Sequence, residues 1–156
     1  TAQKARFATL ELTKSIDNVT DRFTVLVNGK DKAGTFYRKT LASLFAYVSN
    51  RIPEISDELY KIDDAMKAGF GWQHGPFQIW DAIGVEAGIQ IMKTEGHEPA
   101  PWVTEMLATG STSFYNIKEG ATYFYDIPSK AQTKVPGQDS FIILDNIRKS
   151  SAVFKN

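Results

Sequence analysis

Apolar residues recur at helical spacing along roughly the first two thirds of the chain, and then the texture changes. Ile16, Val19, Phe23 and Leu26 lie on one face of a helix that Gly29 is placed to stop. Tyr37, Leu41, Leu44, Phe45, Val48 and Ile52 form a longer and cleaner stripe, interrupted at Pro53. A short helix is expected around Ile62 to Lys67. Pro76 suits the first turn of another helix, which Gly84 can end. Val85, Ile89 and Met92 carry the pattern on to Gly96, and Pro101 to Ala108 give one more short helix. Beyond Gly110, SFYNIKEGATYFYDI predicts two short aromatic strands around a Lys-Glu-Gly turn. PSKAQTKVPGQDS then predicts a loop, and FIILDNIRKSSAVFKN mixes strand and helix signals. Helix is thus expected from about Ser15 to Ala108 apart from the glycine turn, with no parallel sheet.

Between two of these helices stands AMKAGFGWQHGPFQIWDAIG, whose glycines at 69, 71 and 75 spell G-x-G-x-x-x-G. A dinucleotide-binding fingerprint must follow a buried strand and open a helix whose free amides meet a pyrophosphate. IDDAMKA, which precedes Gly69, is rich in helix formers. Pro76, which follows Gly75, has no amide hydrogen to give. Phe70 and Trp72 stand where a ligand would have to approach the backbone, and no Gly-Lys-Ser/Thr of a P-loop is present. The glycines therefore read as architecture: Gly69 ends a helix, Gly71 permits a tight turn, and Gly75-Pro76 sets the entry of the next helix. Phe70, Phe77 and Trp80 are expected in the core.

Composition narrows the field further. The 156 residues suit one domain, and a 42% hydrophobic content is that of a globular chain. Lys plus Arg and Asp plus Glu balance at 18 each, so no global field favours nucleic acid or an anionic membrane. Without cysteine there is no disulfide, thiolate nucleophile or thiolate metal site. No apolar run approaches the ~20 residues that span a bilayer. The start TAQKARFATLEL has no hydrophobic signal core, so a cytoplasmic protein is expected. The first residue is Thr and not Met, which fits a piece excised from a longer chain.

The residues around the glycines carry a resemblance. IDDAMKAGFGW followed by HGPFQIWDAIG resembles the C-terminal helical domain of the 3-hydroxyacyl-CoA dehydrogenases, through Ile62, Asp63, Ala65, Met66, Gly69, Phe70, Gly71, Gly75, Pro76, Phe77, Asp81 and Gly84. Trp72 and Trp80 bring it nearer the second copy of that domain, found in bacterial proteins where the dehydrogenase is fused to an enoyl-CoA hydratase. KARFATLELTKSIDNV resembles the lead into that copy, and the aromatic hairpin with SSAVFKN resembles the connection toward the hydratase. The resemblance implies an all-α fold of the 6-phosphogluconate-dehydrogenase C-terminal type with a small C-terminal β-hairpin appendage. The helical domain would take residues 1–110, and residues 111–156 would lead toward a missing downstream domain.

It also implies what this stretch leaves to the rest of its parent. In the family, NAD is bound by a Rossmann domain, whose His-Glu pair takes the substrate's hydroxyl proton. Neither that glycine motif nor the family's His-Phe-Phe-Asn-Pro segment occurs here. Asn50-Arg51 is similar to an Asn-Arg that the first helical copy sets near substrate, but it stands closer to Asp63 than the family's spacing, so the role is not carried over. No catalytic, cofactor-binding or metal-binding residue is therefore assigned. His74 and His97 lie on different segments, and a metal site would need further carboxylates. His74 reads as a turn residue. Asp63 and Asp64 suit a helix start, where the macrodipole favours acids, and Asp81 could accept backbone amides of the turn. TYFYDIPSKAQTKVP resembles WW domains, which bind proline-rich peptides, yet both signature tryptophans are missing and Val135 stands where the second would be. Tyr115, Tyr123 and Tyr125 are expected to pack.

The reading is thus a non-catalytic helical fragment of an NAD-dependent enzyme that oxidises (3S)-hydroxyacyl-CoA in fatty-acid β-oxidation. It would brace the dehydrogenase half. Its partners would be that half and, through the parent, the acyl-CoA. Isolated, it is expected to dimerise through an apolar patch of Tyr37, Leu41, Leu44 and Val48. The competing reading is a stand-alone interaction module.

Overall fold

A computed structural model describes residues 5–137 and Asn146. Most of FIILDNIRKSSAVFKN lies outside the described residues. Seven helices and a three-stranded sheet are described: α1 Ala8–Thr13, α2 Val19–Asn28, α3 Lys32–Asn50, α4 Leu59–Phe70, α5 Pro76–Ile83, α6 Val85–Thr94, α7 Pro101–Ala108, β1 Tyr115–Lys118, β2 Ala121–Asp126 and β3 Ala131–Lys134. The fold is a helical domain with a small antiparallel sheet at its C-terminal side, ordered β1-β2-β3. No described helix is long and apolar enough to cross a membrane.

The boundaries follow local chemistry. Asn18 caps α2 by accepting from the Thr20 amide at 2.9 Å. Asp31 caps α3 by accepting from the Gly34 amide at 3.0 Å. Asp31 also takes the amide and hydroxyl of Thr9, at 2.9 and 2.8 Å, and so ties α1 to the start of α3. These donors hold its carboxyl down at about 2. Between β1 and β2, Glu119 and Gly120 both take positive φ, 51° and 76°, the signature of a two-residue type I′ hairpin.

Three boundaries depart from the sequence reading. α1 carries too short an apolar pattern to register, and α2 starts at Val19 because Asn18 caps there, leaving Ile16 in the connection. α4 begins at Leu59 and runs past Gly69 to Phe70, ending on Gly71 in the left-handed region at φ 65°. The expected loop after Asp126 contains β3, whose partners on β2 run from Tyr123↔Lys134 to Asp126↔Ala131. Helix is also broken by the connections 51–58 and 95–100.

One core joins the helices to the sheet. Phe45 of α3 stacks on Trp80 of α5 at 4.8 Å between ring centroids. Phe114, just ahead of β1, meets Phe77 and Trp80 edge-on at 5.1 and 5.0 Å. Phe124, Tyr125 and Val135 of the sheet belong to the same buried cluster. Leu41 and Val48 lie in it too, with Tyr37 and Leu44 half-buried, so the α3 stripe is core and not the exposed patch expected of it. Among the described residues, the large apolar side chains that do face outward are Leu12, Phe36, Tyr47, Ile55, Phe70 and Trp72. Phe77 and Trp80 are buried as expected. Phe70 is not: it is 73% exposed, because α4 continues to it on the solvent side.

Candidate functional site

The polar centre of the molecule is the corner where α4 meets α5. Asp63, in the second turn of α4, is fully buried. Gly75 passes so close that a Cβ there would collide with the Cα, Cβ and Cγ of Asp63. That contact explains the glycine: no other residue lets the two backbones approach so far. Pro76 follows as the first residue of α5, where a missing N–H costs nothing. The next two amides, of Phe77 and Gln78, donate to Asp63 at 2.9 and 3.1 Å, and the Gln78 side chain returns to accept from the Gly75 amide at 3.0 Å. Asp63 therefore caps a helix, but α5 and not its own, where the positive end of the helix dipole stabilises a carboxylate.

Asp81 repeats the arrangement one and a half turns later. It accepts from the amides of Phe114 and Tyr115, both at 2.8 Å, and so fastens the start of β1 to α5. The expectation that it would bind amides of the glycine turn is corrected: the amides belong to the entry of the sheet. Tyr115 closes the ring by donating its hydroxyl to Asp63 at 2.9 Å. Burial pushes both carboxyl groups up to about 7 against the pull of these donors, and Asp63 adds a like-charge push on Asp81. The Tyr115 phenol is driven well above its ordinary value, first by burial and then by the Asp63 charge.

Beside the ring lies a cavity of about 380 Å³ whose wall includes His74, Gln78, Asp81, Tyr115 and Asn116. Of Asp63, Asp64 and Asp81, the last alone shares this wall with His74. Asp63 is sealed behind Tyr115, and Asp64 faces outward to Lys67 at 2.7 Å. Neither Asp63 nor Asp64 sits at the start of α4, as had been expected of them. His97 stands elsewhere, its amide donating to Met92 at the end of α6 at 2.8 Å. Among the described residues no group of three or more His, Asp or Glu side chains could hold a metal. The glycine stretch follows a helix rather than a strand, and the described sheet is antiparallel, so no strand–glycine–helix cradle for a pyrophosphate is described. Asp63 and Asp81 spend their lone pairs on backbone amides and the Tyr115 hydroxyl, which is the chemistry of a scaffold.

Tyr123 is half-buried with Lys118 above its ring, and Tyr125 and Val135 are buried. Two parts of this region escaped the sequence reading. The Tyr115 hydroxyl finds an acid 52 residues away, for which no local pattern exists. Gly88 admits the Trp80 indole against α6, whose Nε1 donates to the Val85 carbonyl at 3.0 Å. A glycine inside an apolar helical pattern was the available signal for that contact.

The family model for the 3-hydroxyacyl-CoA dehydrogenase C-terminal domain matches residues 34–123, a span that holds the whole ring from Asp63 to Tyr115. A protein of Bacillus subtilis (strain 168) named as a 3-hydroxyacyl-CoA dehydrogenase is 32% identical over 123 residues, which are 79% of this chain and 16% of that protein. A fatty acid oxidation complex trifunctional enzyme of Rickettsia felis is 27% identical over 70 residues, 44% of this chain and 10% of its own length. Its counterpart in Rickettsia prowazekii is 27% identical over 67 residues, 43% and 9% of the two chains. The chain thus spans a small part of each of these relatives. No solved structure matches it.

Proposed function

The chain belongs to the family of 3-hydroxyacyl-CoA dehydrogenase C-terminal domains, and from that membership we propose that it is the helical, non-catalytic part of an NAD-dependent enzyme oxidising (3S)-hydroxyacyl-CoA in fatty-acid β-oxidation. In this reading residues 1–110 brace the dehydrogenase half, and residues 111–156 lead toward a further, hydratase domain. NAD and the proton-abstracting pair belong to the remainder of the parent.

The observation that carries the proposal is how the family's motif residues are used. Asp63, Gly75, Pro76, Phe77 and Asp81 close a corner, cap a helix, fill the core and fasten a sheet. A constellation kept for chemistry would leave a polar atom aimed at solvent or substrate. The outward-facing Phe36, Phe70 and Trp72 supply apolar surface for packing on the dehydrogenase half, and the same surface would drive self-association of the isolated chain.

The test compares this chain with the complete open reading frame that contains it, assaying reduction of NAD by a (3S)-hydroxyacyl-CoA and titrating NADH against tryptophan fluorescence. The complete protein is expected to turn over substrate, while the 156-residue chain shows neither turnover nor saturable quenching. Saturable quenching by the chain alone would overturn the scaffold assignment. An inactive complete protein would overturn the dehydrogenase reading.

A further inference from the structure

The way β1 is fastened to the helices is unusual in its chemistry. Three polar links at its start end on two neighbouring carboxyl groups, Asp63 fully buried and Asp81 half-buried on the cavity wall: the Phe114 and Tyr115 amides on Asp81, and the Tyr115 hydroxyl on Asp63. The rest of the attachment combines apolar contacts, Phe114 against Phe77, Trp80 and Trp102 and Tyr60 of α4 against Phe124 of β2 at 4.8 Å, with an exposed ion pair between Lys130 and Glu105 of α7 at 3.0 Å. Among the described residues, Lys67 places a positive charge near Asp63, and it is already paired with Asp64 on the outer face of α4. Asp64 adds to the negative field at Tyr115, and His74 shares the cavity wall with Asp81.

We propose that Asp63, Asp81 and Tyr115 form a proton-operated latch, which holds the three-stranded sheet on the helical body more firmly at mildly acidic than at mildly alkaline pH. The physical reason is the cost of keeping two like charges together out of water. When the sheet is docked, Tyr115 covers Asp63 and the entry of β1 lies on Asp81, which desolvates both carboxyl groups. When it lifts away, both gain access to water, which lowers them toward the ordinary aspartate value of 3.8, while Asp63 keeps the Phe77 and Gln78 amides. Docking raises both groups to about 7, so the docked state binds protons more tightly than the undocked one. The stabilisation linked to that proton is whole below the ordinary value, and it is lost as pH rises through about 7. Above that the docked state persists on its apolar contacts and on donors to charged carboxylates, with a smaller margin. The device is local. The Phe114 and Tyr115 amides, which donate to Asp81 of α5 at 2.8 Å, report the docked sheet, whereas amides around Phe45 in α3 report the helical core.

The experiment is hydrogen exchange on the 156-residue chain at pH 5, 6, 7 and 8, with rates corrected for the intrinsic pH dependence of exchange. Protection of the Phe114 and Tyr115 amides is expected to fall by about tenfold or more between pH 5 and pH 8, one unit of differential proton affinity being a tenfold change. Protection in α3 should change less. Asp63→Asn and Asp81→Asn should each flatten the sheet's response. An imidazole ordinarily titrates near ~6.5, so His74→Gln is the control and should retain it. A sheet whose protection is constant from pH 5 to 8, or whose response persists in both Asn variants or vanishes in His74→Gln, would overturn the latch. Should an Asn variant fail to fold, ¹³C titration of the Asp63 and Asp81 carboxyl carbons in the unaltered chain decides the matter. Values well above the ordinary aspartate range uphold the proposal, and ordinary values sink it.

Discussion

The two ends of one glycine stretch behave as different materials. At its far end, Gly75-Pro76-Phe77 is wholly buried: the glycine touches the Asp63 backbone, the proline opens α5, and the Phe77 ring meets Phe114 and Trp80. At its near end, Gly69-Phe70-Gly71 stands in the open. A Cβ on Gly69 or Gly71 would meet no heavy atom of its surroundings within 4 Å, and Phe70 is 73% exposed. Five residues lie between Gly69 and Gly75, and both glycines fall in the span that the family model matches. A shared motif therefore need not mean a shared job. One end is held by packing that the chain itself supplies; the other has no packing partner among the described residues.

The largest expected effect falls at the packed end. Phe77→Ala should cost ~3–5 kcal/mol, the transfer of a buried ring plus the cavity it leaves among Phe114, Trp80 and Trp102. Gly75→Ala should cost a comparable amount, because the colliding atoms are the backbone and inner side chain of Asp63 and have no room to yield. Urea melts check both. A loss below ~1 kcal/mol for Phe77→Ala would erase the contrast between the two ends.

How much of this could be read from the chain depends on how local each cause is. The helix pattern, the capping glycines and the type I′ turn are written in neighbouring residues, and α7 was legible from Pro101 to Ala108. β3 was missed because Ala131 to Lys134 is polar and exposed in alternation and takes its form from β2, not from its own propensity. Phe70 was placed in the core because aromatic side chains are usually buried and the helix seemed to stop before it. One extra turn of α4 moved the ring to the outside. The acids were the hardest. Asp63 reads as a helix-start residue and Asp81 as an acceptor for amides of the turn, but their partners lie 14 to 52 positions away, beyond any local pattern.

At the open end the two glycines should respond in opposite directions. Gly71 adopts φ 65°, so Gly71→Ala forces a left-handed alanine and should destabilise by ~1–2 kcal/mol. Gly69 is helical with nothing beside it, so Gly69→Ala should stabilise by ~0.5–1 kcal/mol through a less entropic unfolded chain and better helix propensity. Thermal melts of the pair would separate a glycine required by backbone conformation from one that is not. If Gly69→Ala destabilised, something in the fold would have to approach α4 there after all.

The smallest effect should come from the most conspicuous side chain. Phe70→Ala removes a whole aromatic ring, which in a core would be among the costliest of changes. Here the ring is 73% exposed and belongs to no aromatic pair or core cluster among the described residues, so neither a large transfer term nor a cavity term applies. Its substitution should move the unfolding free energy by no more than ~0.5 kcal/mol, as at other surface positions. Such neutrality would be informative. A helix that ends on a solvent-facing Phe, beside a glycine the fold does not need and a Trp that is also exposed, presents an apolar knob without an internal reason. A loss above ~1 kcal/mol in urea melts of Phe70→Ala would show the opposite: that the ring is packed in solution, and that the near end of the stretch is as much a part of the core as the far end.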